Sequence, residues 1–230
     1  MPLHHDNEPF MITLPLQHIE LLNGNTYRAF FDNTGLIYQA GQYLEILLPD
    51  TAPRPFSIAN KPGNLIELHI RWLPDSPYII SLIDHITTNK SLTIQGPFGH
   101  CIYHKIPEYP SVLIASGTGF APLKAIIEKA LAEEDLRKPM HLYWGARTEA
   151  ELYLNDLPTL WAQQHSLFRY TPIFGRTPLL QHTLDAVLAD YPHLSHHHLY
   201  ASGPFDLVHA IFKALKPHGL ETNLTYSDAL

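Results

Sequence analysis

Ile114-Ala-Ser-Gly117-Thr-Gly119-Phe-Ala-Pro122 is an apolar run that breaks at two spaced glycines and resumes as a helix-compatible stretch. A strand that turns through glycine into a helix is how a βαβ unit opens. Such a turn also suits a diphosphate, because glycines let the backbone come close while the N–H groups and dipole of a helix start attract negative charge. Pro122 falls near the helix start, where its missing donor does no harm. Pro122 also stands where the G-x-G-x-x-G fingerprint has its third glycine, so on this segment alone a tight turn and a diphosphate loop are both open readings.

Downstream of this stretch the texture stays α/β. Strands are expected at 112–116, 140–145, 167–173, 198–202 and near 221–226, with helices at 121–134, 150–165, 178–190 and 205–215 between them. Upstream, short strands at 12–21, 26–31, 43–48, 54–59, 65–70 and 92–95 are divided by turn residues and by one helix at 77–86, a spacing that suits a small antiparallel barrel. The fold class is therefore β plus α/β: a six-stranded antiparallel β-barrel over 1–106, then a Rossmann-like parallel α/β domain over 107–230.

Ligands of parallel sheets gather at the carboxyl ends of strands. The glycine turn closes the first strand of the second half, Gly145 and Arg147 follow the next, and Ser202-Gly203-Pro204-Phe205 follow the fourth, so all can face one crevice. Each is also readable as an ordinary turn before a helix. In the first half, Pro53-Arg54-Pro55-Phe56-Ser57-Ile58 places proline in a strand and arginine among apolar neighbours, which marks an edge or a special surface. Ser57 offers a hydroxyl and Arg54 an anion clamp, although a solvated edge arginine fits as well.

Composition narrows the classes. The 230 residues are 45% hydrophobic and 16% charged with a formal charge of -7, which fits a globular chain and gives no basic field for nucleic acid or anionic lipid. A single cysteine, Cys101, fits a reducing compartment, and the absence of a signal-like leader or a long apolar run makes the cytoplasm the expected location, with no membrane contact. The adjacent His196, His197 and His198 raise the alternative of a metal-linked binding module, but neighbouring side chains point different ways and no cysteine or carboxylate cluster joins them, so no metal site is expected.

In their order and spacing, Arg54-Pro-Phe-Ser57, Gly96-Pro-Phe-Gly99, Gly117-Thr-Gly-Phe-Ala-Pro122 and Ser202-Gly203-Pro204 resemble the motifs of the ferredoxin–NADP reductase superfamily. Within it the chain is most similar to the bacterial NAD(P)H:flavin oxidoreductases, with Ala40-Gly-Gln-Tyr43, Ile66-Glu-Leu-His-Ile70, Tyr143-Trp-Gly145 and Ser227-Asp228-Ala229 adding to the likeness. The resemblance implies hydride transfer from NADH or NADPH to a flavin, FMN, FAD or riboflavin, and a monomer.

It also implies roles for residues. Ser57 becomes the catalytic residue that orients the flavin near its reacting nitrogen, with Arg54, Pro55, Phe56 and the backbone at His69 and Ile70 holding the rest. Gly117, Thr118, Gly119 and Pro122 cradle the nucleotide diphosphate, and Gly203, Pro204 and Phe205 shape the nicotinamide pocket. Asp228 lies near the flavin or is a solvated carboxylate, and Arg147 meets the adenosine end or is a surface guanidinium. Ser202 replaces the family's cysteine, and the family's aromatic tail after Asp228-Ala229 is missing, so flavin packing at that end is open.

The stretch Arg71-Trp-Leu-Pro-Asp-Ser-Pro-Tyr78 bears two prolines where tight FAD binders carry a donor-rich loop, which predicts a weak hold on an adenylate half. Two functions follow. One is a reductase of free flavin that supplies an acceptor such as a flavin-dependent monooxygenase. The other is an FAD-retaining electron-transfer component serving an oxygenase or a ferredoxin-like protein.

Overall fold

The computed structural model describes residues 11–103, 108–132, 136, 138–175 and 178–229. Six strands build the first half: β1 (Met11–Leu22), β2 (Thr26–Asp32), β3 (Tyr43–Ile46), β4 (Arg54–Ser57), β5 (Leu65–Arg71) and β6 (Ser91–Phe98). They pair antiparallel in the order β4-β3-β6-β1-β2-β5. The two end strands meet where Ile58 bridges Leu68 and the Ala59 N–H donates to the Glu67 carbonyl at 2.8 Å, with the Asn60 side chain bonding the Glu67 N–H and the Leu65 carbonyl beside them. That short stitch curls the sheet into a barrel. Alternation along β5 sends Ile66, Leu68 and Ile70 into a core shared with Leu14, Phe31 and Leu44.

Helix α1 (Pro77–Asn89) closes one end of the barrel by burying Tyr78, Ile79, Leu82 and Ile86. Ser76 caps its start, Pro77 takes the first position, and Lys90 ends it in the left-handed conformation.

In the second half, β7 (Ser111–Ser116), β8 (Met140–Ala146), β9 (Phe168–Phe174), β10 (His198–Ser202) and β11 (Thr225–Tyr226) form a parallel sheet in the order β11-β10-β7-β8-β9. Helices α2 (Phe120–Ala132) and α3 (Asp156–Gln164) supply Leu123, Ile127 and Trp161 to the core on one face, while α4 (Leu179–Asp190) and α5 (Phe205–Leu215) supply Val187 and Ile211 on the other. Covered on both faces, β7 and β8 are buried along nearly their whole length, as their largely apolar sequences require.

Two expectations need correction. The helix expected from residue 150 starts at Asp156, because Pro158 lacks an N–H and its ring clashes with the carbonyl four residues back, so no helix passes through it from upstream. The last strand keeps only Thr225 and Tyr226, since residues 222–224 form a turn in which Leu224 N–H bonds the Glu221 carbonyl at 3.0 Å. The expected division at 106/107 lies outside the described residues, as does the C-terminal end of the helix expected over 121–134. Among the described residues no helix is long and apolar enough to cross a membrane.

Candidate active site

Beyond the Ile58–Leu68 stitch the barrel seam between β4 and β5 opens, and the opening faces the carboxyl ends of the parallel strands. Pro55, Phe56 and Ser57 form one lip of a cavity of ≈ 400 Å³, and His69 and Arg71 form the other. The far wall is the glycine loop Gly117–Gly119 with Gly203 and Pro204. A second cavity of ≈ 310 Å³ shares Pro55, Ser57, Ser202 and Gly203 with the first and continues past Tyr43, Glu45, Pro122 and Asp228. Together they form one interdomain crevice in the size range of small-molecule and cofactor sites.

The glycine loop is held from behind and open in front. Trp144, stacked on Phe120 with ring centroids 3.9 Å apart, donates its indole N–H to the Gly117 carbonyl at 2.9 Å. A Cβ on Gly119 would lie 2.1 Å from the Ser202 carbonyl oxygen, so only glycine lets the loop pack on the end of β10. At Gly117, with φ +53°, a Cβ would meet nothing within 4 Å. That open room, next to the N–H groups that a helix start leaves without intrahelical partners, fits a diphosphate.

Asp228 is exposed but not free. Its Oδ1 accepts from the backbone N–H of His100 at 2.8 Å and of Cys101 at 3.1 Å, and a Cβ on Gly99 would stand 2.6 Å from its Oδ2. The carboxylate thus ties the C-terminal segment to the end of the barrel beside the smaller cavity. Burial pushes the Cys101 thiol well up, with the Asp228 charge adding to it, so this cysteine stays an inert thiol.

Other expected site residues divide. The lip residue His69 offers backbone only: its side chain is wholly buried, with Nε2 on Glu67 at 2.8 Å and Nδ1 on the Tyr153 hydroxyl at 2.9 Å. The Ile70 side chain is 0% exposed in the barrel core, and the residue lines neither part of the crevice. Gly145 lines neither part of the crevice, and a Cβ added to it would stand 3.3 Å from Leu179 Cδ1. Arg54 stands at the seam with its guanidinium 4.3 Å from the centre of the Tyr78 ring, and among the described residues it makes no ion pair. Arg147 is held by Glu151, Nη2 to Oε1 at 2.8 Å, and lines neither part of the crevice. Phe205, 62% exposed at the start of α5, packs on His209 outside the crevice.

Sequence reasoning did not single out Arg71, Glu45, Glu67, Lys124 or Glu151. Lys124 carried a signal, a lone cation in the apolar run Phe120-Ala-Pro-Leu-Lys-Ala-Ile-Ile, and Arg71 ends the strand whose Ile66-Glu-Leu-His-Ile70 was noted. Of the histidine run, His196 lies 3.3 Å from Glu221 while His198 bonds the Tyr226 hydroxyl at 3.1 Å, in different surroundings. Among the described residues no group of three or more His, Cys, Asp or Glu side chains is placed to hold a metal.

A barrel with an open seam, set against the glycine loop of a parallel nucleotide-binding sheet, defines a two-domain flavin- and nicotinamide-using reductase as the class. Residues 113–213 match the family model described as an oxidoreductase NAD-binding domain. The chain is 31% identical over 211 residues to the NAD(P)H-flavin reductase of Aliivibrio fischeri, covering 86% of this chain and 89% of that protein. It is 33% identical over 202 residues to the CDP-6-deoxy-L-threo-D-glycero-4-hexulose-3-dehydrase reductase of Yersinia pestis, covering 84% of this chain but only 59% of that relative's length. Among solved structures, the Amycolatopsis reductase GcoB superposes with a TM-score of 0.76 at 26% identity, over 95% of this chain and 69% of that one. The chain belongs to the ferredoxin–NADP reductase superfamily of NAD(P)H-dependent oxidoreductases, the NAD(P)H-flavin reductases included.

Proposed function

We propose that this protein is an NAD(P)H:flavin oxidoreductase whose flavin enters the open barrel seam, is weakly held, and leaves reduced. When bound, the nicotinamide nucleotide supplies a hydride and the flavin accepts it. The chain's part is to place the two against each other and keep water out, which lowers the barrier through proximity and alignment. Ser57, the one hydroxyl shared by both cavities from the barrel side, orients the ring and is the proposed catalytic residue. Backbone at His69 borders the ring, Gly117 to Gly119 receive the diphosphate, and Gly203 and Pro204 border the nicotinamide. The division into a flavin-binding barrel up to 106 and a nucleotide domain from 107 belongs to the same proposal.

The start of α1 carries the weak hold. A tightly kept FAD needs donors for its pyrophosphate, yet Pro77 has no N–H, the Ile79 N–H is taken by Ser76 Oγ at 3.4 Å, and the Ile80 N–H by the Ser76 carbonyl at 3.1 Å. Arg54 and Arg71 are left as the cations near the seam.

The test is to purify and desalt the protein, record its visible spectrum, and follow NADH and NADPH oxidation with and without FMN, FAD or riboflavin. A colourless protein that oxidises nucleotide only when flavin is added supports the proposal. The second reading, an electron-transfer component that keeps FAD and serves a protein acceptor, is favoured by the likeness to the longer Yersinia reductase, and a yellow protein with stoichiometric FAD selects it.

A further inference from the structure

A buried ionic network joins the two halves beneath the crevice. Lys124, on the first turns of α2, is 1% exposed, and its ammonium spends all three donors: on the Ala59 carbonyl at 3.0 Å, Glu67 Oε2 at 2.8 Å and Glu128 Oε1 at 2.7 Å. Ala59 and Glu67 lie at the stitch of the barrel seam. Glu67, 3% exposed, uses its other oxygen to accept from Arg28 Nε and from His69 Nε2, each at 2.8 Å.

These bonds define the protonation pattern. Burial works to raise the Glu67 carboxyl, but the His69 hydrogen bond and the Lys124 charge outweigh it and hold the group at about 2. Burial keeps the His69 imidazole neutral, so Nε2 carries the proton that faces Glu67 and Nδ1 accepts from the Tyr153 hydroxyl. Burial, followed by the Glu67 charge, keeps that phenol protonated. Tyr153 meets Trp144 edge to face with centroids 5.2 Å apart, and Trp144 holds the Gly117 carbonyl. Two routes therefore run from one barrel carboxylate to the glycine loop, through Lys124 along α2 and through His69, Tyr153 and Trp144.

Ion pairs of this depth add little net stability, and apolar side chains would pack α2 on the barrel at least as well. What directional, fully used donors add is register. We infer that Lys124 and Tyr153 are positioning residues that, each through its own route from Glu67, set the glycine loop at a fixed distance from the barrel seam and so determine how a nicotinamide nucleotide sits against the flavin lip. The inference rests on the proposed nucleotide and flavin sites.

Lys124→Met and Tyr153→Phe separate it from a packing role, the second removing one hydroxyl without altering the ring. The readouts are NADH affinity from nucleotide fluorescence, riboflavin affinity from flavin fluorescence in the absence of nucleotide, and thermal midpoint. Lys124→Met is expected to weaken NADH roughly ten-fold and Tyr153→Phe about three-fold, with riboflavin affinity within about two-fold, as a displaced loop requires. NADH affinity within two-fold of the wild type in both folded variants overturns the inference, as does equal weakening of NADH and riboflavin. Should Lys124→Met fail to fold, Tyr153→Phe decides alone. A wild type that binds NADH but reduces no flavin defeats the proposed function and leaves this inference to the binding data, and a wild type that binds no nucleotide overturns both.

Discussion

Helices α1 and α2 are both 13 residues long, and both begin at the crevice, yet their first turns are built for opposite purposes. In α1 the cap is internal: Ser76 and Pro77 leave few donors for a ligand. In α2 the preceding residues are glycines, no side-chain cap occupies the amides, and open space lies over Gly117. The same element repels or receives an anion according to the two or three residues before it. On the proposed function a flavin phosphate would meet a closed helix and a nucleotide diphosphate an open one, so that one crevice could release flavin and still grip its reductant.

The strongest way to break this contrast is Gly119→Val. The new Cβ collides with the Ser202 backbone, so the expected loss is roughly 3 kcal/mol of stability or more, seen as a lower thermal midpoint with nucleotide binding lost. That outcome reports packing, not crowding of the diphosphate, so Gly119 is the wrong position from which to read the ligand.

Acid should separate the helices next, because only α2 is docked through the Glu67 network. The unfolded carboxyl titrates near 4.5 and the folded one at about 2, so the unfolded state binds more protons between them. This stabilisation is complete above about 4.5 and is lost as pH falls toward 2, on the order of 3 kcal/mol in all. His69, held neutral by burial, acts in the same direction from its ordinary value of 6.5 downward. Hydrogen exchange across this range should show α2 amides losing protection before those of α1. Loss in the reverse order would remove the network as the acid-sensitive dock.

Gly117→Ala is milder and reads the ligand. Its side chain enters open space at a positive φ, so about 1 kcal/mol of stability is expected to go, while NADH affinity falls roughly ten-fold. Unchanged affinity would mean that the diphosphate lies elsewhere. Smallest are the effects at the closed helix. Pro77→Ala returns one N–H to the first turn and should favour FMN over riboflavin by about three-fold, near the value of a helix-end charge interaction. Ser76→Ala should lower stability by about 0.5 kcal/mol, given its long 3.4 Å bond, and leave NADH affinity unchanged.

Much of this was legible in local sequence. The barrel strands, the glycine loop and the Arg54-Pro-Phe-Ser57 edge lie where periodicity and turn residues place them. Ser57, Gly117 and Gly203 reach the crevice for the same local reason, each closing a strand at its open end. Ile70, Gly145 and Phe205 do not, because a motif names neighbours in the chain while the side that a strand or a helix start turns to the cavity depends on what packs behind it.

Strand β5 shows where local information ends. Alternation in Leu65-Ile-Glu-Leu-His-Ile-Arg71 is enough to turn Ile66, Leu68 and Ile70 inward and Glu67 and His69 outward, since that pattern has a period of two residues. Read alone, the outward pair belongs to a solvated face. In the folded chain α2 covers it, and Lys124, 57 residues away in sequence, turns an exposed polar face into a buried ionic one. Side-chain direction is a property of neighbouring dihedral angles and is written locally, whereas burial and charge pairing depend on which surfaces meet, and only the packing of the barrel against the parallel sheet decided that.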